Sequence, residues 1–280
     1  MKFIQRLVIS YLRLKFRLLT ALSPGKATEK AFDLFCTPQF RNKRELPAIF
    51  TEAEKINFRF DLYDISGYRW NKGGEKKVLI IHGFESSAIS FDSYVQPLIE
   101  KGYEVLAFDA PAHGRSSGTR ITVLIFKDFI KYIAQNYGPV ESFMAHSFGG
   151  LALCLAMEEM DHDENYRVAL VAPATETSTA LDQFFNLLHL DNKIRQLFEK
   201  KVNAVGGHPS SWFSIRRAVG NIRAKIVWFH DEEDQQTPFE DAWKVKEDNH
   251  PGIRFVITKG LGHRRIYRDN TVRQAIVDFL

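Results

Sequence analysis

The sequence predicts an α/β protein, a doubly wound and mostly parallel sheet of about eight strands with a small helical lid insertion. Three observations lead there. Short apolar runs at residues 78–81, 105–108, 143–145, 168–171, 226–229 and 255–258 have the unbroken hydrophobicity of strands buried on both faces. Helical stretches at 91–101, 121–136, 151–160, 239–247 and 270–280 lie between or after most of them, and that alternation is the mark of parallel strands joined by crossover helices. One interval, about fifty residues at 175–224, is far longer than a single crossover helix needs and contains two helical patterns of its own, at 181–190 and 194–205.

Taken in order, residues 1–22 carry Lys2, Arg6, Arg13, Lys15 and Arg17 among Phe3, Ile4, Leu7, Val8, Leu12, Phe16 and Leu19. Charge interrupts this run too often for a spanning helix or a signal-peptide core, and helical spacing places Lys2, Arg6, Arg13 and Arg17 on one face. A helix packed on the domain's own surface is the expectation, and the same pattern suits peripheral contact with an anionic membrane. A second helix is expected at 28–35, a half-exposed strand at 55–61, and its partner at 68–70 across a turn at Ser66 and Gly67. The expected division is an N-terminal helical segment, 1–45, packed on the core, and a domain, 46–280, with its insertion at 175–224. Within that insertion Phe184, Phe185, Leu187, Leu188, Leu197 and Phe198 suit either a lid or the seam of a helical pair, and Trp212 with Phe213 could line a pocket.

Composition narrows the class of protein. With 45% apolar and 26% charged residues, the chain is neither disordered nor fibrous, and 280 residues suffice for one large domain with a full core. Net charge is only +4 with no concentrated basic face beyond the N-terminus, so nucleic acid is not an expected partner. Cys36 and Cys154 stand far apart with no C-x-x-C, which offers neither a disulfide framework nor a thiolate zinc site and fits a cytoplasmic protein. No cofactor and no metal are called for, and the oligomeric state has no signature.

Four segments carry chemistry: Ile81-His82-Gly83-Phe84, Asp109-Ala110-Pro111-Ala112-His113-Gly114-Arg115-Ser116, Ala145-His146-Ser147-Phe148-Gly149 and Gly260-Leu261-Gly262-His263. All follow predicted strands, so their residues gather at the carboxyl edge of the sheet, where open α/β sheets bind ligands. Ser147 lies between a strand and a helix with small residues two places away on each side, the requirement of a sharp, strained turn that lifts a hydroxyl out of the sheet. Such a serine reacts only if a histidine takes its proton, an acid orients the histidine and fixed N–H donors receive the oxyanion.

These segments resemble the α/β-hydrolase superfamily, in its esterase, lipase and serine-aminopeptidase-like branch, over about residues 55–280. Ala145-His146-Ser147-Phe148-Gly149 is similar to the G-x-S-x-G nucleophile elbow, with Ala145 in place of the first glycine. The resemblance implies Ser147 as nucleophile and His263, after the last strand, as general base; His82, His113 and His146 fit that role poorly. The orienting acid is expected in the loop after the 226–229 strand, where Asp234 stands four residues before Pro238; Asp231 is the alternative, and Glu232 and Glu233 are expected to be solvated. The oxyanion hole would use the backbone N–H groups of Phe84 and Phe148, each such donor being worth about 3 kcal/mol in the transition state. Glu85 beside Phe84 is an unfavourable neighbour for an anion, the Asp109 turn reads as structural, and Arg115 as a solvated side chain. The expected function is a serine hydrolase cleaving an ester or related acyl bond of a small molecule through an acyl-enzyme. The alternatives are an acyltransferase with the same triad and a non-catalytic binding protein.

Overall fold

The computed structural model describes residues 3–42 and 44–280, which divide into two compact units. The larger, residues 38–175 and 214–280, is built on one eight-stranded sheet. Its strands are β1 (Glu54–Phe60), β2 (Tyr63–Trp70), β3 (Lys76–Ile81), β4 (Tyr103–Phe108), β5 (Ser142–His146), β6 (Arg167–Val171), β7 (Lys225–Asp231) and β8 (Ile253–Thr258). Their spatial order is β1-β2-β4-β3-β5-β6-β7-β8, antiparallel at β1/β2 and β2/β4 and parallel elsewhere. The doubly wound sheet expected from the apolar runs is therefore present.

Burial explains why those runs are continuous. Every residue of β4 and β5 is buried, whereas β1, at the edge, alternates. The register Ile81↔Ala145, Ala145↔Leu170, Val171↔Phe229 and Asp231↔Thr258 brings the ends of β3, β5, β6, β7 and β8 level, so the loops that follow them share one edge. Thr122 Oγ1 caps the helix Val123–Tyr137 by accepting from Ile125 N, and Asp269 caps the C-terminal helix Asn270–Phe279.

The β1–β2 turn differs from expectation. It falls at Asp61 and Leu62, with Asp61 at φ 50°, and Ser66 and Gly67 lie inside β2. Gly67 is a strand residue because the Phe108 ring of β4 lies across it; a Cβ there would meet Phe108 Cδ1 at 2.0 Å.

The smaller unit, residues 1–37 and 176–213, joins the N-terminal helices Phe3–Leu22 and Pro24–Cys36 to the insertion's helices Thr177–Leu188 and Asn192–Gly206. The N-terminal segment, expected as a separate piece on the domain core, thus shares an apolar centre with the insertion: Phe16, Ala27 and Ala31 pack with Leu181, Phe185, Leu188, Ile194 and Phe198. Phe198 meets the rings of Phe32, Phe35 and Phe185 at 5.6, 5.8 and 5.4 Å, so the insertion's aromatic residues act as the seam of this unit. Trp212 stacks on His208 at 4.1 Å.

Candidate active site

Ser147 follows β5 and precedes the helix Phe148–Met157 with φ 54° and ψ −125°, a conformation that costs a non-glycine residue about 1–3 kcal/mol. Main-chain bonds hold it there: its N–H donates to Val171 O at 3.1 Å, and its carbonyl accepts from Gly150 N and Ala174 N at 2.9 and 3.0 Å. The turn is also crowded. A Cβ on Gly149 would lie 2.4 Å from His82 O, and one on Gly83 would lie 2.8 Å from Ser147 Cβ. Small residues are thus required because the β3 loop passes directly against the elbow.

His263, in the short helix Gly262–Arg265 after β8, reaches Ser147 Oγ with Nε2 at 3.1 Å and Asp234 Oδ2 with Nδ1 at 2.8 Å. Burial pushes the Asp234 carboxyl up, but its bond to His263, that residue's charge, and the N–H groups of Thr237 and Gln236 outweigh this and hold it below its ordinary value. Asp234 is therefore a carboxylate that can only accept. Nδ1 of His263 carries the proton, and Nε2 presents its lone pair to the Ser147 hydroxyl.

Asp231 turns elsewhere. Its Oδ2 accepts from Leu261 N at 2.9 Å and Thr258 Oγ1 at 2.7 Å, and its Oδ1 accepts from Glu233 N at 3.0 Å. It fastens the loop that presents His263 instead of touching the imidazole. Glu232 and Glu233 are exposed. Among the described residues no three His, Cys, Asp or Glu side chains are grouped as metal ligands. Phe84 and Phe148 come together beside the elbow, their rings edge to face at 5.8 Å, and Glu85 directs Oε1 to Gln39 N at 2.9 Å.

With this geometry in hand, likeness to known proteins is informative. The profile of a family described as serine aminopeptidase, S33 matches residues 74–218, more than half of the chain. The chain belongs to this family of α/β hydrolases. Its fold is similar to that of the Pyrococcus furiosus esterase Pf2001, with TM-score 0.65 and 21% identity over 88% of this chain and 97% of that one. It is also similar to Est1E of Butyrivibrio proteoclasticus, solved with ferulic acid bound, with TM-score 0.64 and 19% identity over 80% and 97% of the two chains. A curated relative, the uncharacterized hydrolase YugF of Bacillus subtilis strain 168, is 27% identical over 108 residues; the match spans 36% of this chain and 39% of YugF.

One site residue of this hydrolase escaped sequence reasoning. Thr237 Oγ1 lies 2.9 Å from Asp234 Oδ2, 3.1 Å from His263 Nδ1 and 3.2 Å from Ala172 O. Its hydroxyl steadies the acid and the imidazole together. The signal in the sequence is the spacing Asp234-x-x-Thr237-Pro238. Behind it, Trp228 Nε1 donates to His230 Nδ1 at 3.2 Å, so His230 carries its proton on Nε2 and donates it to Thr237 O at 2.8 Å.

The other motif residues build the scaffold. His82 donates from Nδ1 to Gly83 O and accepts Ala110 N at Nε2, His113 donates to Pro111 O, and His146 donates from Nε2 to His263 O. Asp109 accepts from Ala88 N and Arg115 N, which ties the Asp109 turn as a structural element, and the exposed Arg115 side chain donates to Arg44 O.

These buried groups make stability depend on pH. Burial, aided by the nearby His113 and His263 respectively, lowers His82 and His146 to about 3, and burial lowers His113 to about 4. Each contributes stability that is complete above the unfolded imidazole value of 6.5 and is lost as pH falls toward its folded value. Asp109 opposes them: burial raises it to about 6, so it binds a proton in the folded chain that it lacks when unfolded between pH 6 and 3.8. Near pH 5 the three protons these histidines take up on unfolding, less the one released by Asp109, leave two, and His230, which burial also lowers, adds in the same direction. Stability is expected to fall by at least about 2.7 kcal/mol per pH unit there. Urea unfolding at a series of pH values between neutrality and pH 5 measures it, and a flat profile would refute it.

Proposed function

We propose that this hydrolase cleaves a carboxylic ester or related acyl bond of a small molecule through an acyl-enzyme on Ser147. The observation that carries this is the continuous line from Ser147 Oγ through His263 to Asp234, with its 3.1 and 2.8 Å contacts. Ser147 Oγ attacks the acyl carbonyl while His263 Nε2 takes its proton, and Asp234 stabilises the imidazolium. The backbone N–H groups of Phe84 and Phe148 receive the oxyanion. The imidazolium then gives its proton to the leaving alkoxide. Water attacks the ester on Ser147, again with His263 as base, and releases the acid and the free serine.

The family description names an aminopeptidase, whereas the structural neighbour Pf2001 is an esterase. An ester is favoured on the likeness to that esterase, and three carboxylates of the site loops already hold other groups: Asp231 and Asp234 the catalytic loops, and Glu85 the Gln39 N–H. A cytoplasmic location belongs to the same proposal, Cys36 and Cys154 being buried and not joined in a disulfide. Among the described residues no helix is long and apolar enough to cross a membrane.

A fluorophosphonate probe followed by intact-mass spectrometry tests the proposal. One adduct, located on Ser147 by peptide mapping and absent from Ser147→Ala and His263→Ala chains of matched circular dichroism, is expected. A folded wild type that neither reacts nor cleaves a short-chain aryl ester would leave the binding-protein alternative. Partition of the acyl group to added alcohol in preference to water would identify an acyltransferase.

A further inference from the structure

The helix Phe3–Leu22 has two apolar faces, and the smaller unit uses only one. Phe16 is buried, and Leu12 and Leu19 pack beside it against the unit's core. Away from that core, Leu7, Tyr11, Leu14, Leu18 and Leu22 recur at helical spacing with 55%, 63%, 58%, 58% and 84% exposure. At 3.6 residues per turn, Leu7, Leu14 and Leu18 point within about 20° of the direction opposite Phe16. A surface helix that had only to pack on its own domain would be polar there.

The flanks of this stripe are cationic. Arg6, Arg13 and Arg17 run along one border and Lys15 along the other, and the chain has no Asp or Glu before Glu29. A groove of about 370 Å³ is lined by Leu14, Arg13, Arg17 and His189 together with Asp191. Arg13 Nε donates to Leu187 O at 2.9 Å, which anchors that guanidinium at the groove, and Asp191 Oδ1 is committed to Ile194 N.

From this arrangement we infer that the outer face of the helix Phe3–Leu22 is a docking surface for an anionic phospholipid bilayer. The leucine stripe enters the interfacial layer and the bordering cations meet headgroup phosphates. Charge selects this occupant over a second copy of the chain: two such faces apposed would set cation against cation, the adjoining Asp191 already being engaged through Oδ1 as a helix cap, whereas anionic headgroups complement both borders. The contact is peripheral, since Arg6, Arg13, Lys15 and Arg17 within one helix forbid insertion across the hydrocarbon.

Sedimentation of the full-length protein with vesicles tests it, comparing phosphatidylcholine alone with phosphatidylcholine mixed with phosphatidylglycerol. Binding is expected to the mixed vesicles, to weaken with salt, and to fall at least about tenfold in Leu14→Glu/Leu18→Glu. Each of Arg6→Gln, Lys15→Gln and Arg17→Gln is expected to cost about fivefold, and Arg13 is left in place because it also holds Leu187. Matched circular dichroism keeps folding separate from binding, since every substituted side chain is exposed. Equal sedimentation of wild type and the leucine double variant would overturn the inference. So would salt-insensitive binding to both vesicle types, or a dimer in light scattering that the double variant abolishes.

Discussion

Ser147→Ala is expected to lower turnover of a cleaved ester about a millionfold, roughly 8 kcal/mol of transition-state stabilisation, with the thermal transition unchanged. The separation of activity from stability follows from how the residue is held. Its contacts to Val171, Gly150 and Ala174 are made by the main chain, which alanine keeps, and φ 54° is as costly for alanine as for serine. Only Oγ is lost, and with it the proposed nucleophile. Residual rate would come from the proposed oxyanion donors at Phe84 and Phe148, which would still polarise a bound carbonyl. Steady-state kinetics on wild type and variant of matched circular dichroism measure the ratio. A variant retaining activity within about tenfold of wild type would mean that another group is the nucleophile.

Much of this architecture is legible in the sequence because burial on both faces forces unbroken apolar runs, and β4 and β5 have no exposed position at which the run could break. The elbow is legible for a related reason: the small residue two places after Ser147, Gly149, answers a steric demand made by the β3 loop. Other features depend on facts no local pattern encodes. Gly67 looks like a turn residue until the Phe108 ring, forty-one positions away, is seen to need its missing side chain. Amphipathicity shows that the first helix must pack, but not that its partner is an insertion beginning at Glu176. Thr237 belongs to no hydrophobic period, and a hydroxyl three residues past an acid is common in loops. The spacing to Pro238 points to Asp234 in preference to Asp231, but the way each carboxylate turns depends on which main-chain N–H groups surround it, and no spacing encodes that.

Those N–H groups give the sharpest expectation for the acid. In Asp234→Asn, Gln236 N and Thr237 N both donate to the Oδ1 position, which obliges the amide oxygen to sit there and turns the amide NH2 toward His263 Nδ1. His263 must then accept at Nδ1 and carry its proton on Nε2, where the Ser147 hydroxyl finds a donor in place of a base. The chain keeps its geometry and loses the productive tautomer, with kcat expected to fall about ten-thousandfold. Asp231→Asn has the opposite balance. Keeping the amide oxygen toward Leu261 N and Thr258 Oγ1 leaves NH2 facing Glu233 N, two donors opposed, which costs about 1–3 kcal/mol of stability while leaving the His263 tautomer intact. Denaturant midpoints and kcat measured on both variants separate the two roles. A larger loss of kcat in Asp231→Asn at unchanged stability would transfer the orienting role to Asp231, whereas chemistry lost at Asp234 and stability lost at Asp231 follow from carboxylates whose partners differ though only two residues separate them in the chain.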